Sequence, residues 1–478
     1  MQPNPPGSPS DREASGLDRC TGQNANFVPV ADPGHEPGRS IGREAPGGAR
    51  GVEPLALVGR GSREGARLFR EWFEQLIDAG RRQEPVAYVF VMGSLVEVLR
   101  VFDIHTVFPE INSLQTAVRH VAHDYLSQAE DYGYSPDICG YLKADIAVQL
   151  RGGTHPMGTI PKPTLAVATN ACNTYIKWAE IWERLYQIPV FTLDIPGSRT
   201  PGRGALPGSP EFDRDRSYVA AQIGELIELC ERLTHKRFDI DRLREVLEQA
   251  NRLSAAWKKV LAFNCSVPAP FNALTDGTIF LGMANAFRGL AAGASYFTDL
   301  ADEMEYKSIH GLGTLREEKY RLLFAGVPCY PIFRRFNEMF SEWGGNFVGS
   351  TYLWFASGGA NLGFQYDLAR PLESLAEGVL LSVRHAMDSM FCSDRALLEM
   401  IDPLRADGLV FHPIKSCRTV STGLADARRA LLKACNLPSL FIESDMMDKR
   451  VVSEAQLKNR IDAFFEGLAA RQQLSVAL

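Results

Sequence analysis

Two stretches of the chain repeat one plan: an apolar strand, a short loop, an amphipathic helix and a second apolar strand. In the first, Thr164–Ala168 is a strand-like run, and Asn170-Ala171-Cys172 turns the chain. Tyr175, Ala179, Trp182, Leu185 and Tyr186 then mark one helix face before Pro189–Leu193 returns as a strand. In the second, Gly408–Phe411 leads through Pro413–Cys417 to a helix marked by Leu424, Ala427, Leu431 and Ala434, and Leu437–Ile442 follows. Spacings like these suit parallel sheets. Such units close with a right-handed crossover and place ligand sites beyond the carboxyl ends of the strands. Cys172 and Cys417 both fall at that edge, just ahead of a helix.

The remaining patterning extends this α/β plan. Val86–Met92 reads as a strand leading into a helix at Leu95–Phe102, and one helical pattern spans Asn112–Gln128 after Phe108-Pro109-Glu110. Asp239–Leu261 has the periodicity of a long amphipathic helix. A third strand–helix–strand pattern runs through Tyr320–Ala325, Phe333–Trp343 and Asn346–Gly349. Ser453-Glu454-Ala455-Gln456 has capping-box form and opens a helix with Leu457, Ile461, Phe464, Phe465 and Leu468 on one stripe. The expected fold is therefore two Rossmann-like parallel-sheet domains with a helical connecting region and a C-terminal helix. Residues 63–310 form the first domain, with Cys139 and Cys172, and residues 311–478 the second, with Cys417. Residues 1–62, about a third of them Pro or Gly, read as a disordered tail. The tail has no apolar core of a signal peptide, and its acidic residues argue against a transit peptide.

Composition excludes some classes of function. A formal net charge of -6 does not suit a general nucleic-acid binder. No apolar run approaches the roughly 20 residues a membrane-spanning helix needs. Nine cysteines without a CxxC pair fit a reducing cytoplasm better than a disulfide framework or a zinc ribbon. There is no Walker A loop, no GxGxxG after a strand and no GxSxG elbow. Gly311-Leu312-Gly313 and Gly202-Arg203-Gly204 read as loop glycines. Glu443, Asp445 and Asp448 follow a strand and suit either a cation or a solvated turn. His120 and His123 have no third partner in sequence.

The cysteines carry the remaining chemistry. Cys20, Cys230, Cys265, Cys329, Cys392 and Cys435 need no role beyond that of small apolar residues. Cys139, like Cys172 and Cys417, opens a helix-like stretch. The helix dipole favours negative charge at that end, so the three thiols are expected to be poised thiolates. Three thiolates suffice to hold an iron–sulfur cluster with one iron free for another ligand. From spacing alone, a shared metal site and three ordinary buried cysteines both stand.

Several segments resemble the 2-hydroxyacyl-CoA dehydratase/benzoyl-CoA reductase family. They are Phe108-Pro109-Glu110-Ile111-Asn112, Asp137-Ile138-Cys139-Gly140-Tyr141-Leu142-Lys143-Ala144-Asp145, Lys415-Ser416-Cys417 and Phe441-Ile442-Glu443-Ser444-Asp445. Within that family the likeness is greatest to the larger cluster-binding subunit of the aromatic acyl-CoA reductases, and it covers roughly residues 80–470. The resemblance implies a [4Fe-4S] cluster held by Cys139, Cys172 and Cys417. It also implies a related second cluster-binding subunit, ATP-hydrolysing iron–sulfur activator subunits, reduced ferredoxin as electron donor, and an acyl-CoA substrate. The absence of a nucleotide motif agrees with that division of labour. One electron added to a thioester carbonyl gives a ketyl-type radical anion, which iron and hydrogen-bond donors would stabilise.

The leading expectation is ATP-dependent reduction of benzoyl-CoA, or a close analogue, to a cyclic dienoyl-CoA. The alternatives are a 2-hydroxyacyl-CoA dehydratase subunit and a non-catalytic electron-transfer or scaffold subunit. Glu110 is the candidate carboxylate for the fourth iron position or, as an ordinary acid after proline, a helix-start residue. Lys143 and Arg418, near the cysteines, suit either CoA binding or structure.

Overall fold

The computed structural model describes residues 58–197, 207–357, 360, 363–391 and 393–477. All but the last five residues of the expected tail lie outside this range, as do Gly202-Arg203-Gly204, Cys20 and Cys392. Residues 60–62, assigned to the tail from sequence, instead open a helix, Arg60–Arg82. Glu303 fixes its start by accepting from the backbone N–H groups of Gly59 and Gly61, at 2.6 Å each.

Ten strands follow in chain order: β1 Val86–Val89, β2 His105–Val107, β3 Thr154–His155, β4 Gly158–Thr159, β5 Leu165–Thr169, β6 Val190–Leu193, β7 Tyr320–Gly326, β8 Gly345–Ser350, β9 Gly408–His412 and β10 Ser439–Phe441. β3 and β4 make a small antiparallel hairpin. The others form two four-stranded sheets, ordered β2-β1-β5-β6 and β10-β9-β7-β8, with every pairing parallel. β1, β5, β7 and β9 are buried along their whole length, which explains their largely apolar make-up.

Each sheet reverses its direction of growth once. From β1 the chain adds β2 on one side and returns to place β5 on the other; from β7 it adds β8 and then β9 in the same way. The gaps beyond β1/β5 and β7/β9 are therefore the two topological switch points, where open α/β sheets take ligands. One apolar core joins the two halves of the chain, with Val89 and Trp182 in the same cluster as Phe324, Val410 and Ile461. A smaller cluster around Leu323, Leu397, Leu409 and Leu431 packs elsewhere on the second sheet. The Pro371–Phe391 helix also packs across the halves, and its Arg384 Nε donates to the Pro196 carbonyl at 2.8 Å.

Local differences from the sequence reading have physical causes. The single helix expected over Asn112–Gln128 is two, Pro109–Val118 and Ala122–Asp131. His120 between them has φ 61°, and its N–H and that of Val121 return to Ala117 and Thr116 as a C-terminal cap. On the Asn173–Tyr186 helix, Tyr175, Trp178, Ala179 and Trp182 are buried, whereas Leu185 is 43% exposed. Among the described residues no helix is long and apolar enough to cross a membrane.

A candidate active site between the two sheets

The loops at the two switch points face one cavity of about 370 Å³. Val91 and Met92 reach it from beyond β1, Glu110 from beyond β2, Cys172 from beyond β5, Val327 from beyond β7 and Cys417 from beyond β9. Cys139 joins them from the loop before the Gly140–Leu150 helix. The three cysteines singled out by their placement ahead of helices thus share one cavity with Glu110. Cys230, Cys265, Cys329 and Cys435 lie outside its lining.

Each of the three cysteines is the N-cap residue of a helix: Cys139 of Gly140–Leu150, Cys172 of Asn173–Tyr186 and Cys417 of the short Arg418–Ser421. The expectation of poised thiolates fails for Cys139 and Cys417. Burial pushes the Cys139 thiol well above its ordinary value, and Cys417 and Cys172 nearby push it further, against backbone N–H groups that pull it down. Cys417 is pushed up to about 12, again mainly by burial. Desolvation outweighs the helix termini, so these two thiols are neutral near pH 7. Cys172 Sγ lies 3.7 Å from the Thr419 hydroxyl, which bridges the two halves. Among the described residues, no three Cys, His, Asp or Glu side chains stand close enough to hold a single metal ion.

Glu110 is held in place at both oxygens. Oε2 accepts from the Val91 N–H at 2.8 Å and Oε1 from the Tyr175 hydroxyl at 2.6 Å. The Tyr175 ring stacks on Phe90, with centroids 3.8 Å apart and planes inclined by 11°. Burial pushes the carboxyl up to about 7, against those two hydrogen bonds, which favour the charged form. Glu110 is also in the first turn of its helix, with Pro109 at the start, so its structural and functional readings coexist. Another wall residue, Trp178, donates its indole N–H to Asp145 Oδ2 at 2.7 Å, as does Trp182.

An ion-pair clamp ties the Cys139 loop to the C-terminal half. Lys143, 1% exposed, donates to Glu130 at 2.8 Å and to the Pro136 carbonyl at 2.7 Å. Glu130 also accepts two bonds from Arg450, at 2.8 and 2.7 Å. Lys143 is thus a structural cation, whereas Arg418 is exposed beside Cys417. Asp445 accepts from the N–H groups of Ser416, Met447 and Asp448, Asp448 pairs with Arg450 and Glu443 with Lys415. That acidic trio is a turn. His120 and His123 are both exposed.

Sequence reasoning missed the opposite wall, which includes Phe69 from Arg60–Arg82 and Thr278 and Ile279 from the Thr275–Ala286 helix. The first helix was legible in the spacing of Leu68, Trp72, Phe73, Leu76 and Ala79, all buried. The second has Gly, Thr and Asn among its apolar residues and no clean stripe.

Two parallel sheets meeting over a cavity at their paired switch points define a ligand-binding α/β scaffold. The family model of the 2-hydroxyglutaryl-CoA dehydratase D-component matches residues 93–468, and the chain belongs to this acyl-CoA dehydratase/reductase family of enzymes. The chain is 32% identical to a benzoyl-CoA reductase subunit of Thauera aromatica over 404 residues, covering 82% of this chain and 91% of that one. It is 28% identical to the (R)-phenyllactyl-CoA dehydratase alpha subunit of Clostridium sporogenes, covering 79% and 88%. With the (R)-2-hydroxyisocaproyl-CoA dehydratase alpha subunit of Clostridioides difficile it shares 26% identity, covering 79% and 89%.

Proposed function

We propose that this chain is the cluster-bearing subunit of a cytoplasmic enzyme that converts a 2-hydroxyacyl-CoA to the 2-enoyl-CoA and water. The observation that carries the reading is the meeting of three thiols and one carboxyl at the two switch points of a single cavity. The matched family model and the phenyllactyl and hydroxyisocaproyl relatives, all dehydratase components by name, favour dehydration over the reduction expected from sequence. Reduction of an aromatic acyl-CoA is the second reading, favoured by the 32% identity to a component of a benzoyl-CoA reductase. A related second subunit, an ATP-hydrolysing activator and reduced ferredoxin complete the proposed system.

The residues suit a [4Fe-4S] cluster held by Cys139, Cys172 and Cys417. A single ion needs its thiolates gathered within about 2.3 Å of one point, whereas a cluster gives each thiolate its own iron and tolerates the wider spread found here. Three helix N-termini would offset its negative charge. Ser416 Oγ, buried with no hydrogen-bond partner, lies 3.4 Å from where a Cβ on Gly140 would sit, between two of the cysteine loops. When bound, such a cluster would supply a single electron and a Lewis-acidic iron.

The chain's own residues handle protons and water. The Glu110 carboxyl, pushed up to about 7, is suited to accept the β-proton of a 2-hydroxyacyl thioester and release it again. The Tyr175 hydroxyl and Val91 N–H fix its orientation. Walls including Phe69, Leu114 and Phe355 exclude water that would quench a radical anion.

The test is an anaerobic assay of the complex with activator, ATP and reductant. Formation of 2-enoyl-CoA from a 2-hydroxyacyl-CoA supports dehydration. Loss of the benzoyl chromophore with stoichiometric ATP use, and no enoyl product, would replace it with the second reading. A cluster spectrum unmoved by any acyl-CoA would sink both.

A further inference from the structure

We infer that the cavity selects an uncharged, apolar acyl group and rejects acyl chains that carry a second carboxylate. The inference rests on the acyl-CoA reading above and specifies its substrate class. The cavity, about 370 Å³, is at the small end of the range of roughly 300–1,000 Å³ for small-molecule sites. It is on the scale of an acyl group. Among the described residues that line it there is no Lys, Arg or His, and Glu110 is the one carboxylic acid.

Two of the cations close by in sequence are committed elsewhere, and Arg418, beside Cys417, is exposed and outside the lining. Lys143 is buried against Glu130, and Lys415 pairs with Glu443. Several neutral polar groups of the lining are engaged, although the buried Thr278 hydroxyl and Asn285 Oδ1 have no hydrogen-bond partner. The Tyr175 hydroxyl serves Glu110, the Tyr141 and Tyr352 hydroxyls lie 3.5 Å apart, and Asn285 Nδ2 donates to the Leu281 and Ala356 carbonyls. An anionic acyl terminus would therefore lose its water with no cation to replace it, and would share the cavity with Glu110. Burying a charge without a partner is the costliest exchange a pocket of this kind can make. A phenyl or branched aliphatic group instead meets Phe69, Leu114, Ile279 and Phe355.

The test compares two unreactive thioesters that share the CoA moiety, 3-phenylpropanoyl-CoA and glutaryl-CoA, by anaerobic titration calorimetry on the purified holoprotein. The expected result is at least about 10-fold weaker binding of glutaryl-CoA. Equal or tighter binding of glutaryl-CoA overturns the inference and leaves the acyl-CoA site standing. Binding of neither overturns the site reading and the inference together. A variant probes the same logic by gain of function. Ile279, 39% exposed at the cavity, tolerates a long solvated side chain, so Ile279→Lys is expected to narrow the ratio several-fold. An unchanged ratio in a folded Ile279→Lys protein also counts against charge as the selector.

Discussion

Glu110→Gln separates a residue kept for chemistry from one kept for packing, because the two roles have opposite signs in stability. An ordinary glutamate titrates near 4.5, whereas Glu110 in the folded chain is pushed up to about 7 by burial. The folded state then binds the proton more tightly than the unfolded state. Ionisation costs the fold nothing below about pH 4.5, costs increasingly more as the pH rises to about 7, and levels off above that. At about 1.4 kcal/mol for each tenfold change, the gap corresponds to roughly 3 kcal/mol of stability lost at pH 7.5. A glutamine keeps the shape, accepts from the Val91 N–H, can donate to the Tyr175 oxygen and never ionises. Urea denaturation of the cluster-free wild type and variant across pH 4.5–7.5 is expected to show the variant gaining up to about 3 kcal/mol over that window. Turnover of the loaded complex is expected to fall at least about 100-fold, the scale of a lost acid–base group. A stability difference that stays flat with pH refutes the burial argument, and full turnover in the variant refutes the catalytic one.

Other outcomes follow from the same geometry. Cys139→Ala, Cys172→Ala and Cys417→Ala are each expected to lower iron and acid-labile sulfide, while Cys435→Ala, whose thiol donates to the Leu431 carbonyl, leaves both unchanged; full iron content in any of the three variants removes that residue from the ligand set. Arg450 and Lys143 hold the Glu130 carboxyl down to about 2. Its contribution is therefore present above about pH 4.5 and lost as the pH falls toward 2. Glu130→Gln is expected to cost about 1–2 kcal/mol at pH 7 in urea denaturation, less than the full shift implies because the Arg450 side chain is 39% exposed. A variant as stable as the wild type at pH 7 would show the clamp to be inert.

Much of the scaffold was legible because parallel strands buried on both faces have little choice of residue. β5, β7 and β9 stood out as largely apolar runs, and the crossovers after β5, β7 and β9 followed from the periodicity between them. Helix faces were read less well. Leu185 fits the stripe of the Asn173–Tyr186 helix by spacing yet lies exposed, while Trp178 carries more of the buried surface because Asp145 can satisfy its indole N–H. The break at His120 was illegible because a left-handed cap on a residue other than glycine leaves little trace in sequence. The cysteine positions ahead of helices were readable one at a time, whereas their convergence came only from the family resemblance. It depends on two switch points in different sheets meeting, which no local spacing encodes.

The thiols also show why placement and protonation must be argued separately. The placement at helix N-termini is as expected, and it favours a thiolate. Burial opposes it and wins for Cys139 and Cys417 in the metal-free chain. The two effects are not in conflict once the site is asked to accept and hold metal. Neutral thiols avoid gathering uncompensated negative charge in a cavity with no cation in its described lining. Metal loading would then release protons, and the helix termini would stabilise the negative charge of the filled site. The burial that holds the Cys139 and Cys417 thiols protonated would also act against a second carboxylate. Metal retention and substrate choice would thus both follow from one electrostatic property of the cavity, and a lysine at position 279 should disturb the second before the first.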